Sequence, residues 1–248
     1  MGTRFRVGEL DVDVVDLAGA LDGIEQLVRS GRGGAVFTPN VDHVVNARRL
    51  PALARAYARA DLSLADGMPV VWASRLLGPR LPERVAGSDL AGPLLRRAAA
   101  HRWRVYLLGG GPGAAEEAGR RLGDDGVTVV GVDGARVNAD GAVAEEVLER
   151  ILRARPQLLL VGLGSPKQEL FIDRYRERLG ETVAFACGAV IDFLAGNLPR
   201  APRWMSHAGL EWAYRLAREP RRLWRRYLVD DPAFLGIVLH GWMHRRGP

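Results

Sequence analysis

Asp66 stands in the run Leu64-Ala65-Asp66-Gly67, where a carboxylate carried on a turn could take a proton from a hydroxyl. Asp-Gly is also a common turn pair, so the catalytic reading and the plain turn stand side by side. Gly109-x-Gly111-x-x-Ala114 follows an apolar run, and Asp133 lies roughly 20 residues further on, the layout of a dinucleotide fingerprint. In that motif glycines admit a pyrophosphate to the amides at a helix N-terminus. A nucleotide sugar would use the same amides for its diphosphate, and a tight strand–helix turn would need the same glycines. Asp11-x-Asp13 has the D-x-D spacing of many metal-using sugar-nucleotide transferases. It lies in an alternating stretch that puts both aspartates on one face, which reads more simply as a solvated strand face. Lys167 and Gln168 follow Gly164-Ser165-Pro166, and Lys167 is the only lysine. Cys187 reads as a small buried hydrophobe. His43 reads as a surface or capping group at a helix start.

These residues need a scaffold, and the chain supplies a regular one. Apolar strand-like runs at 35–41, 62–64, 104–108, 127–132, 158–163 and 183–187 alternate with helical patterns at about 44–60, 87–100, 114–122 and 142–153. Ser88 or Asp89 is the expected N-cap of the helix at 87–100. Such alternation predicts an α/β fold, a Rossmann-like parallel sheet flanked by helices and buried on both faces. Ligands then bind at the carboxyl ends of the strands. Those ends carry Thr38, Asn40, Asp66, Gly67, Gly109, Gly111, Gly164, Lys167, Gln168 and Asp192, which together with Asp133 are the expected substrate-site positions.

Composition narrows the chemistry. One cysteine in 248 residues excludes a disulfide framework or a cysteine-built metal site. The five histidines include no H-E-x-x-H run. No apolar run approaches the ~20 residues of a membrane-spanning helix. The first residues lack an uninterrupted apolar core, so the expected compartment is the cytoplasm. Net charge is +6, and 34 of the 35 basic residues are arginine, as a GC-rich coding bias would favour. From residue 199 onward there are ten arginines against four acidic residues, so this tail carries the whole surplus. It also holds four of the six tryptophans, Trp204, Trp212, Trp224 and Trp242. Arginine and tryptophan interleaved in this way suit an anionic membrane surface. Nucleic-acid-binding signatures are lacking, and no nucleic-acid partner is expected. The division drawn is a catalytic α/β core over 1–198 and a helical, membrane-docking C-terminal appendage over 199–248.

Several ordered blocks then coincide with one pattern: Thr38-Pro-Asn40, Asp66-Gly67, Glu83-Arg84-Val-Ala-Gly87-Ser-Asp89, Gly164-Ser-Pro-Lys-Gln168-Glu169, Gly188-Ala-Val-Ile-Asp192, Arg200-Ala-Pro-Arg-Trp204, and Gly209-Leu-Glu-Trp212 through to Leu228. The chain resembles the WecG/TagA/CpsF glycosyltransferases (glycosyltransferase family 26) from about Val7 to Leu228. Cys187 and Val190 are small departures. The resemblance implies a metal-independent inverting hexosyltransferase with no cofactor, for which a UDP-sugar is substrate. Relatives transfer N-acetylmannosamine, or its uronic acid, to a polyprenyl-diphosphate-linked N-acetylglucosamine during teichoic acid, enterobacterial antigen or capsule synthesis. They act as peripheral proteins on the inner face of the cell membrane, and relatives that self-associate extend the expectation to a homo-oligomer. By position, Asp66 would be the general base and Arg84 would meet the diphosphate. Thr38, Asn40 and Gln168 would line the sugar pocket. Arg215, Arg222, Arg225 and Trp224 of the tail would meet the membrane and the acceptor diphosphate. The competing reading is an NAD-dependent oxidoreductase using the loop at 109–113.

Overall fold

A computed structural model describes residues 2–198, 205, 211–218 and 220–245, and for residues 211, 215, 222, 223, 226, 227 and 245 the backbone only. The runs VYLLG, LLLVG and VAFA become strands buried at nearly every position, β5 (Val105–Gly109), β7 (Leu158–Gly162) and β8 (Val183–Ala186). With β3 (Gly34–Phe37), β4 (Leu62–Ser63) and β6 (Val129–Asp133) they form a six-stranded sheet in the order β4-β3-β8-β7-β5-β6. Every pairing in it is parallel. The expected Rossmann-like α/β architecture is therefore present.

Strand alternation divides the core in two. Phe37, Tyr106, Leu108, Leu159, Val161 and Ala186 face one side, with α2 (Val41–Arg49), α3 (Pro51–Ala58), α4 (Met68–Leu77), α7 (Glu145–Ala154) and α8 (Lys167–Leu179) over them. Val36, Leu107, Leu160, Val183 and Phe185 face the other, covered by α1 (Leu17–Ser30), α5 (Gly87–Ala100), α6 (Ala114–Asp124) and α9 (Val190–Ala195). The chain's last described helix, Ala233–Arg245, returns to the first side and buries Phe234, Ile237 and Val238 there.

Three local expectations are corrected. The helix expected at 44–60 is two helices, because Pro51 disfavours helical backbone at Leu50, which sits at φ −125°, ψ 90°. Pro51 then opens α3, where its missing N–H costs nothing. Helix α5 begins at Gly87 with Ala86 at the N-cap, ahead of Ser88 and Asp89. Asp11 and Asp13 are not a solvated pair. They lie in β2 (Leu10–Asp13), hairpin partner of β1 (Arg4–Val7). Buried Asp13 accepts from Arg4 Nε at 2.9 Å and from the Ser63 amide at 2.8 Å, pinning the hairpin to β4.

The sheet order also marks a switch point between β5 and β7. The chain leaves β5 toward one edge, for β6, and leaves β7 toward the other, for β8. Adjacent strands whose connections diverge open a cleft at their carboxyl ends. Here the two backbones nearly touch. The Gly110 amide donates to Gly162 O at 2.8 Å, and Gly109, at φ +101°, would place a Cβ 2.5 Å from that oxygen. Gly109→Ala should therefore cost about 1–3 kcal/mol of stability. Urea unfolding at unchanged m-value checks this, and an unchanged midpoint would contradict it.

Candidate active site

The carboxyl ends of β3 and β4 stay joined beyond the strands. The Leu64 amide donates to Phe37 O at 2.8 Å and the Asp66 amide to Pro39 O at 2.9 Å. The Val85 amide donates to Ala65 O at 2.9 Å, which draws the next segment alongside. Gly67 follows at φ +145°, ψ 136°, a conformation strained for any other residue, and caps α4. This backbone places the Asp66 carboxylate 3.6 Å from Arg84 Nη1, with the two side chains 31% and 11% exposed. The other terminal nitrogen of Arg84 donates to Asp89 in the first turn of α5. A half-open carboxylate and a largely buried cation thus share the sheet's ligand edge.

Thr38, Asn40 and Gln168 are brought to the same edge. The Thr38 hydroxyl donates to Ala186 O at 3.4 Å, tying β3 to β8. Asn40 precedes α2, and its side-chain oxygen lies 2.7 Å from His43 Nδ1. The capping reading of His43 holds and the surface one does not, since the ring is buried. His43 Nε2 lies 3.3 Å from Glu169 Oε1, and Glu169 has 0% exposure. Gln168 is buried too: its amide nitrogen donates to Glu169 Oε1 at 2.8 Å and its oxygen accepts from the Gly188 amide at 3.1 Å. Burial alone would push the Glu169 carboxyl up. The close contact and charge of His43, then Gln168 and a backbone amide, more than offset this and hold it below the ordinary range. Burial, with Glu169 and Asp66 nearby, pushes the Tyr57 hydroxyl up.

The glycine loop is differently engaged. The Gly111 amide donates to Asp192 Oδ1 at 2.9 Å, and the Gly110 amide is bonded to Gly162. Asp133 accepts from Arg150 Nε at 2.8 Å and from the Tyr106 hydroxyl at 3.3 Å. Gly164 and Lys167 are exposed where β7 turns into α8. Buried Cys187 has its thiol pushed up to about 12 by burial, which fits the small-hydrophobe reading. In the tail, Trp224 and Arg225 are exposed. The side chains of Arg215 and Arg222 lie outside the described residues, as does the block at 200–204.

Comparison with known proteins fits this geometry. Residues 5–248 match the Glycosyl transferase WecG/TagA/CpsF family. A Bacillus spizizenii protein named N-acetylglucosaminyldiphosphoundecaprenol N-acetyl-beta-D-mannosaminyltransferase is 34% identical over 212 residues, 84% of this chain and 79% of its own. A Bacillus subtilis protein of the same name is 36% identical over 184 residues, 73% of this chain and 69% of its own. The chain belongs to the WecG/TagA/CpsF family of glycosyltransferases. It is a transferase enzyme, and the family, more than the glycine loop, decides against the oxidoreductase reading.

In this family member the buried His43–Glu169 contact was missed from sequence. Its signal was present: Gln168, Glu169, Leu170, Phe171 and Ile172 are consecutive buried residues at the start of a helix, two of them polar. Because the folded carboxyl titrates below its ordinary 4.5, the unfolded chain takes up the proton first as pH falls. The contribution to stability is complete above that value and is lost as pH drops through the folded one. Glu169→Gln should flatten the fall of the urea midpoint below pH 4.5 relative to the unaltered chain. Parallel falls in the two proteins would contradict the assignment.

Proposed function

We propose that this glycosyltransferase moves an N-acetylmannosamine-type hexose from a UDP donor to a polyprenyl-diphosphate-linked N-acetylglucosamine, with inversion. The observation that carries the reading is the 3.6 Å contact of Asp66 with Arg84 on the ligand edge of the sheet. The names of the two Bacillus relatives supply the acceptor and the sugar class. In the step, Asp66 takes the proton of the acceptor hydroxyl, and the hydroxyl oxygen forms a bond to the anomeric carbon. The bond from that carbon to the UDP oxygen breaks on the opposite side. Arg84 stabilises the negative charge left on the departing diphosphate, a charge that arginine can bind bidentately. Neither a metal nor a cofactor takes part in this step.

Thr38 and Asn40 face the sugar in this account, with Gly67, Gly109, Gly111, Asp133, Gly164, Lys167 and Asp192 on the donor side. The enzyme works on the inner face of the membrane, where polyprenyl acceptors and nucleotide sugars meet, in cell-surface polysaccharide or teichoic acid synthesis. Exposed Trp224 and Arg225, with Leu228, Val229, Leu235 and Leu239 also exposed, support a surface that rests on lipid. No described helix is long and apolar enough to cross a membrane. Because Phe234, Ile237 and Val238 belong to the core, the last described helix packs on the catalytic unit while its other face is exposed.

A transfer assay tests this reading. A panel of UDP-sugars is offered with polyprenyl-diphosphate N-acetylglucosamine in anionic or zwitterionic vesicles, and products are read by mass spectrometry. The expected result is a hexosamine mass gain with one donor, faster on anionic vesicles, and lost by about 10²-fold or more in Asp66→Asn, whose UDP affinity is kept. Full turnover in Asp66→Asn would overturn the base assignment. No gain with any donor would overturn the substrate assignment.

A further inference from the structure

We propose that His43 and Glu169 are positioning residues that fix the Asn40 and Gln168 amides and so shape the sugar-binding end of the site, an inference that rests on the transferase reading above. Four side chains, from the starts of α2 and α8, form one chain of contacts. Asn40 Oδ1 meets His43 Nδ1 at 2.7 Å, His43 Nε2 meets Glu169 Oε1 at 3.3 Å, and the same oxygen accepts from Gln168 Nε2 at 2.8 Å. Gln168 Oε1 then accepts from the Gly188 amide at 3.1 Å, which brings in a third loop, after β8. These contacts link the ends of β3, β7 and β8 in addition to the backbone pairing of the strands themselves.

Packing fixes the ring as well. Tyr57 stands edge-on to His43, with centroids 6.1 Å apart and planes at 77°, and Phe37 stands edge-on to Tyr57 at 5.0 Å and 64°. An imidazole so enclosed has one plane and two fixed nitrogens. A fully buried carboxylate is costly to desolvate, and apolar residues of like volume would stabilise the same space at least as well. The residues present instead give an orientation. An unconstrained asparagine amide can flip end for end; one facing a fixed ring nitrogen cannot. Glu169 lies against the ring's far nitrogen, and the near nitrogen accepts from the Asn40 backbone amide at 3.2 Å, so the ring is set from both sides, as carboxylates set metal-bound histidines. Neither residue touches substrate. Asn40, backbone neighbour of Asp66 through Pro39, carries the effect into the site.

Two isosteres separate the two ends of the ring. Asparagine at position 43 reaches the place of Nδ1 and keeps a partner for Asn40; glutamine reaches the place of Nε2 and keeps a partner for Glu169. Both full-length variants are assayed for transfer, for UDP affinity by calorimetry, and for thermal midpoint. The Asn40 side-chain amide is followed by NMR. The expected result is a kcat for His43→Gln roughly tenfold or more below that of His43→Asn at matched UDP affinity, although His43→Asn, which leaves buried Glu169 without its partner, has the lower thermal midpoint. The Asn40 amide shifts should move toward those of a free asparagine in His43→Gln and stay near those of the unaltered chain in His43→Asn. Equal kcat in both variants, or losses of kcat that only track UDP affinity and thermal midpoint, would overturn the proposal. An unaltered chain without turnover would count against the transferase reading, and the pair is then judged by the amide signals, with identical signals in all three proteins overturning it.

Discussion

The hydrogen-bond ladder between β3 and β4 runs past both strands, through Leu64 to Phe37 and Asp66 to Pro39, and the site depends on that extension. A loop free to wander could not hold a carboxylate at a set distance from a guanidinium. Here the backbone of Asp66 is fixed at one end by Pro39 and followed at the other by Gly67 in a conformation that suits glycine. The Val85–Ala65 bond then delivers Arg84 from the far side. Asp66 and the nearby pair Arg84 and Asp89 become one charged cluster because backbone bonds bring their two segments together.

The same logic recurs under the surface. Parallel strands end together, so their following loops crowd one edge, and the polar groups there must be satisfied in little space. Side chains meet that demand at three places. Thr38 bonds Ala186, Gln168 bonds Gly188, and Asp192 bonds Gly111. Each contact links segments at the ends of different strands. The edge is consequently a braced rim, and small shifts in one loop are transmitted to its neighbours through hydrogen bonds that are costly to leave unmade.

Much of this was legible in the residues. Uninterrupted apolar runs at 104–108, 158–163 and 183–187 could only be central parallel strands, and the polar positions after them had to gather at one edge. Asp66 and the loop at 109–113 were found for that reason. What escaped was pairing. Asp13 looked like a metal ligand or a solvated carboxylate because period-two alternation says which face a residue is on, and not that Arg4 and the Ser63 amide wait there. The glycines at 109–111 had the spacing of a pyrophosphate cradle, yet two of their amides bond Gly162 and Asp192, partners 50 or more residues away that no local pattern reveals. His43 looked like a cap and is one. Its second nitrogen, turned inward to Glu169, makes a tertiary contact between the starts of two helices. The break at Leu50 was present in Pro51 and went unused.

The central claim is that the diphosphate of the donor meets Arg84 beside Asp66. A crystal structure of the full chain with UDP tests it directly. The account predicts phosphate oxygens within hydrogen-bond distance of the Arg84 guanidinium, with the Asp66 carboxylate open toward the acceptor side. Phosphates seated on the amides of Gly110 and Gly111 at the start of α6, with Arg84 still held between Asp66 and Asp89, would contradict it.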